Sequence, residues 1–103
     1  MTGTYRIARE GDVLTVGFGT PAENTQIVQD ALARLDEMVA SGELAGGDLI
    51  KVNGPASLPV GMVICHALAH RFGAVAVLDP KLGGYVVAVS HNPARKVGEL
   101  IPL

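Results

Sequence analysis

Cysteine occurs once, so Cys65 cannot close an internal disulfide. Set in an apolar stretch, it reads as a small buried hydrophobe rather than a reactive thiol. Positive charge is scarce: 8 Lys and Arg stand against 10 Asp and Glu, for a formal net charge of −2. No broad basic surface follows from that balance, which excludes counterion-driven binding to long nucleic acid duplexes and leaves only a short nucleotide held at a defined site. Long apolar runs are missing too. Lys51, His66, His70, Arg71 and Asp79 interrupt the richest region, and no run reaches the ~18 residues of a membrane span. The opening MTGTYRIAREGD lacks the basic region, apolar stretch and small-residue cleavage site of a secretory signal, so a cytoplasmic location is expected. There is no internal repeat, low-complexity segment or linker, and the chain is expected to form a single domain over residues 1–103.

What is present favours a packed core. Hydrophobic residues make up 49% of the chain and charged residues 17%, enough apolar surface to offset the entropy of ordering, with an excess that points to an oligomer. Tyr5 to Arg9 and Val13 to Phe18, joined by Glu10-Gly11-Asp12, have the pattern of a β-hairpin. Thr20-Pro21-Ala22-Glu23 has the form of a capping box with proline at the first helical position. Behind it Ile27, Val28, Ala31, Leu32, Leu35, Met38 and Val39 recur at helical spacing up to Gly42. Asp48 to Val52 is a short strand. The spacing predicts a second helix from Leu58 to Phe72, stopped by Gly73 and apolar around almost its whole circumference, which implies burial on most sides. Ala74 to Leu78 and Tyr85 to Val89 are further strands around the turn Asp79 to Gly84, and Val97 to Ile101 is a candidate edge strand. The expected fold is therefore α/β: one Rossmann-like domain with a mixed sheet of five to six strands and two helices, in the order β-β-α-β-α-β-β. The βαβ unit should cross over right-handed.

In such a unit the loop after the first strand faces ligands, because amides at the following helix's amino terminus favour an anion. Asn53-Gly54-Pro55-Ala56-Ser57 is placed to hold a phosphate, with Asn53, Gly54 and Ser57 as the candidate contacts; the same residues also make an ordinary turn with a helix cap. Asp79 ends the partner strand, so it and Lys81 belong to the same edge of the sheet. Asp79-Pro80 fits a turn starter as well as a metal ligand or general base. His66 and His70 are four residues apart and share a helix face, the spacing at which two imidazoles meet one metal. The zinc-protease pattern fails because Ala67 stands where the catalytic glutamate would be, and His66 reads more simply as a packing residue. His91 follows a strand beside Ser90 and Asn92, where such residues form turns as readily as they catalyse. The second helix runs antiparallel to its flanking strands, so His70 and His91 are expected at one edge and the NGPAS loop, Asp79 and Lys81 at the other, roughly 20 Å apart. One protomer would then carry two half-sites, and a head-to-tail contact between protomers would join them.

The stretch NGPASLPVGMVICHALAHRFGAVAVLDPKLGGYVVAVSH, from Asn53 to His91, resembles the core of the CRISPR-associated ring nucleases of the Csx-three family, with the GP loop, LAH, AVAV, DPKLG and SH elements in that family's order. The resemblance implies a Rossmann-like fold, cleavage of the cyclic tetra-adenylate second messenger with manganese, and a ring held between dimers that pair into tetramers or filaments. It implies catalytic roles for His70, Asp79 and His91, which would also be the manganese ligands, and a substrate contact for Lys81. Some relatives have arginine at this last position; lysine keeps the charge and loses the bidentate fork for phosphate. Three rival functions remain beside the ring nuclease: a manganese-dependent 3′ exoribonuclease on short RNA, a cyclic-oligoadenylate binding module without catalysis, and a structural oligomerisation domain.

Overall fold

A computed structural model describes residues 3–103. Strands β1 (Tyr5–Glu10) and β2 (Val13–Phe18) form the expected hairpin, paired antiparallel from Tyr5 with Phe18 to Glu10 with Val13. Helix α1 (Asn24–Ser41), strand β3 (Gly47–Asn53), helix α2 (Leu58–Ala69) and strands β4 (Phe72–Asp79), β5 (Gly84–Ser90) and β6 (Leu100–Pro102) follow. All six strands join one sheet in sequential order. β2, β3 and β4 are mutually parallel at its centre, and the flanking pairs are antiparallel. The fold is α/β with a mixed sheet and two helices.

The two crossovers, β2 to β3 through α1 and β3 to β4 through α2, step in the same direction along the sheet. Crossovers of the same hand then deposit both helices on one face, where α1 and α2 pack against each other. The main core lies between them and the sheet. Ile27, Ala31, Leu35 and Met38 supply the buried stripe of α1, and Val60, Ile64 and Leu68 that of α2; Leu14, Val16, Ile50, Val52 and Val75 face them from the strands. Fully burying each of the larger aliphatic side chains contributes about 1.5–3 kcal/mol. A second, smaller cluster of Ala74, Ala76, Tyr85 and Val87, flanked by Leu49, Leu78 and Ile101, lies on the sheet's other face.

The capping box does not form. The Gly19 and Thr20 amides donate to the Thr4 and Gly3 carbonyls at 2.8 and 3.0 Å, prolonging the hairpin ladder. The chain stays extended through Glu23, which is the N-cap but makes no side-chain cap bond. The second helix is also shorter than its apolar pattern predicts. It ends at Ala69, and Phe72 belongs to β4, where it pairs with Gly47 and is buried. The ring is needed in the core beneath the Arg9 guanidinium, 5.1 Å from the ring centroid, so Arg71 and Phe72 leave the helix. Nor is α2 buried on most sides. Leu58 and Met62 are 79% and 64% exposed, and His66 on the same side is exposed as well. Cys65 is half-buried rather than fully enclosed. β6 is three residues long, against the five of the expected edge strand. Among the described residues no helix is long and apolar enough to cross a membrane.

Candidate functional site

β4 separates two sets of polar residues. At its carboxy-terminal end lie the loop from Asn53 to Ser57, which leaves the parallel strand β3, and the β4–β5 turn with Asp79 and Lys81. At its amino-terminal end lie His70, the C-cap of α2, and His91, which follows β5. A strand from Phe72 to Asp79 spans roughly 23 Å at about 3.3 Å per residue.

The loop after β3 is held from two directions. Gly54 adopts φ +138°, and a Cβ on it would run into the Val16 carbonyl, so only glycine lets β3 leave the sheet this close to β2. The Tyr5 hydroxyl donates to the Pro55 carbonyl at 2.7 Å, and burial pushes that phenol up to about 12. Ser57 caps α2, its Oγ accepting from the Val60 amide at 3.3 Å and donating to Asn24 Oδ1 at 2.9 Å. With Val60 capped and Pro59 lacking an amide hydrogen, two of the first three helical positions offer no donor to an anion. Asn53 turns to the sheet face opposite the helices, where its Nδ2 donates to the Tyr85 hydroxyl at 3.3 Å. Lys51 stands two residues earlier on the same face. Its Nζ is 3.2 Å from Asp12 Oδ2 and 5.7 Å from the Tyr85 ring centroid.

Asp79 begins its turn in the way an aspartate before proline commonly does. Its Oδ1 accepts from the Lys81 and Leu82 amides at 3.0 and 3.3 Å, leaving Oδ2 without a partner among the described residues. The Lys81 side chain is exposed.

At the other edge His91 is fixed through its backbone, its amide donating to the Gly73 carbonyl at 2.7 Å. Its Nε2 lies 3.1 Å from the Ala69 carbonyl. A carbonyl only accepts, so Nε2 carries the hydrogen, and Nδ1 of the neutral ring keeps the lone pair for a proton or a metal. The Ser90 hydroxyl, within 2.9 Å of the Asn92 carbonyl and 2.7 Å of the Arg95 carbonyl, holds the following loop. His66 is not a packing residue: it is exposed, and its Nε2 meets Nε2 of His70 at 3.2 Å.

Sequence reasoning missed Tyr5 and Tyr85 as partners of the β3 loop, and Lys51 beside Asn53 on the same face of β3. Lys51 was within reach of it, since a period of two puts Lys51 and Asn53 on one face of a strand. Tyr5 and Tyr85 carried no local signal, because they are 50 and 32 residues away from the groups they contact. Among the described residues no three His, Cys, Asp or Glu side chains stand close enough to hold a metal together. Asp79 offers the hard oxygen that manganese prefers, but His70 and His91 lie at the far end of β4. One chain alone does not build the manganese site that the resemblance implies.

Fold and site together define a small α/β protein whose candidate chemistry is divided between the two ends of one central strand. The chain belongs to the family described as CRISPR-associated protein (Cas_csx3), whose model matches residues 23–102. It is also similar to an uncharacterized protein of Aquifex aeolicus (strain VF5), 50% identical over 32 residues; that match covers 31% of this chain and 29% of the other. No solved structure matches.

Proposed function

We propose that the protein is a manganese-dependent phosphodiesterase that opens cyclic tetra-adenylate to short linear oligoadenylates and so switches off a CRISPR antiviral signal, with a site shared between two copies. The observation that supports this reading is the separation of the two polar sets along β4. One copy presents the GP loop, Lys81 and Asp79, and the head-to-tail neighbour presents His70 and His91. Lys81 neutralises phosphate charge, and the Asn53–Ser57 loop positions the ring. The Nδ1 lone pair of His91 takes or returns a proton at the scissile phosphate, with His70 as its counterpart. Asp79 Oδ2 would hold the cation, which supplies charge stabilisation when bound, and whichever of the neighbour's His70 and His91 does not carry the proton would be a further ligand.

The test is chromatography of products from cyclic tetra-adenylate, with and without manganese, using wild type, His91→Ala, Asp79→Ala and an equal mixture of the two variants. Manganese-dependent linear products are expected from wild type, and neither variant alone should form them. The mixture should recover part of the rate, because a contact between unlike copies can join two intact half-sites. A mixture as inactive as its components would sink the shared site. Linear oligoadenylate processed faster than the ring would favour a 3′ exoribonuclease.

A second reading, a cyclic-oligoadenylate binding module, draws on one observation. Asp79 Oδ1 and the Ser57 hydroxyl are both occupied by local structure within a single chain. Tight binding with the ring left intact would select it.

A further inference from the structure

We infer that His66 and His70 form a two-point chelate for a borderline divalent cation of the zinc class. This goes beyond the phosphodiesterase reading, in which His66 takes no part; it shares His70 with that reading and rests on ring geometry instead. The two residues occupy successive turns of α2, and both are exposed. Their rings stand nearly perpendicular, at 87° with centroids 4.7 Å apart, and the nitrogens that face each other are both Nε2, 3.2 Å apart.

That separation is the one two ligands of a single ion require. With metal–nitrogen bonds of about 2.05 Å, nitrogens 3.2 Å apart subtend about 100° at the metal, close to tetrahedral. At present one imidazole donates a hydrogen to the other's lone pair. A cation replaces that hydrogen: the donor ring moves its proton to Nδ1, and both Nε2 lone pairs turn to the ion by rotation about χ2, a broad torsion in histidine.

Position adds to geometry. The pair sits in the last turn and C-cap of α2, where the helix dipole places partial negative charge and favours a cation. The ligand type selects the ion. Two imidazoles and no carboxylate suit zinc, nickel or copper, and they disfavour manganese, which is weakest in the divalent series and prefers oxygen. Protein groups supply two positions of a tetrahedral ion, leaving two for water or an incoming ligand. The site is thus open, unlike a closed structural zinc site.

The experiment titrates the metal-free full chain with zinc chloride, and separately with manganese chloride, by calorimetry, while the imidazole ring signals are followed by NMR. Wild type is compared with His66→Ala and His66→Gln. His66 is exposed in the last turn of α2, and alanine is the best helix former, so these variants should keep the fold, which their backbone spectra check. Expected are one zinc per chain, ring shifts at His66 and His70 together, and affinity at least about tenfold weaker in both variants. Manganese should leave the His66 ring unchanged at concentrations where zinc saturates. The inference is overturned by a wild-type chain that binds no zinc, by variants that bind it as tightly, or by zinc that shifts the His91 ring and not that of His66.

Discussion

Glycine-to-alanine exchange at positions 54 and 61 makes the same chemical change with opposite expected signs. At Gly54 the backbone holds φ +138°, a region that L residues rarely enter, and the added Cβ would run into the Val16 carbonyl of β2. The conformational term alone costs about 1–3 kcal/mol. The clash adds to it, because a sheet carbonyl is not a flexible side-chain end that can swing away. A total of about 2–4 kcal/mol is a large part of the roughly 5–15 kcal/mol that holds a domain of this kind together. At Gly61, inside α2, a Cβ meets nothing within 4 Å. The alanine there gains helix propensity and restricts the unfolded chain, for about 0.5–1 kcal/mol of added stability. Urea unfolding of both variants, followed by circular dichroism and fitted with a common slope, measures the contrast. A Gly54→Ala midpoint within experimental error of wild type would refute the tight exit of β3 and, with it, the geometry of the candidate phosphate loop.

Tyr5→Phe should cost about 1 kcal/mol by removing the hydrogen bond to the Pro55 carbonyl. It should also abolish an alkaline limb in the stability profile. The folded phenol keeps its proton to about pH 12, while the unfolded one releases it near pH 10; between those values the folded state binds more protons, so stability is intact below pH 10 and declines as pH rises through 12, by at most about 3 kcal/mol. Chemical denaturation of both proteins from pH 8 to 12 tests this, and equal slopes would contradict it. Arg9→Lys should destabilise by about 1–2 kcal/mol, because one guanidinium donates to the Gly11, Glu43 and Ala45 carbonyls and covers the Phe72 ring, which an ammonium cannot do in one geometry. Thermal unfolding measures it, and an unchanged Tm would count against that role.

Hydrophobic period and turn chemistry carried most of the architecture. The alternating runs around Glu10-Gly11-Asp12, the helical stripe of Ile27, Ala31, Leu35 and Met38 with Gly42 behind it, and the apolar run before Asp79-Pro80 each correspond to an element now in place. The misreadings share one origin. Thr20 is a good N-cap by composition, but its amide is committed to Gly3 across the hairpin. Phe72 continues the helical pattern of α2, but the core needs its ring one strand further on. His66 is flanked by apolar residues in sequence, yet its side of the helix faces solvent because α1 and the sheet cover only the opposite stripe.

The sequence by itself determined the two edges, because strand direction follows from connectivity: a helix between parallel strands returns the chain to the edge it left, and a hairpin sends it back again. His70 and His91 had to lie at one end of β4, and the GP loop and Asp79 at the other. Tertiary structure alone decided which groups remain free for chemistry. Hydrogen-bond partners are chosen by proximity in space, and proximity brought the Tyr5 hydroxyl to Pro55, Lys51 to Tyr85, and His91 Nε2 to the Ala69 carbonyl across 22 residues of chain.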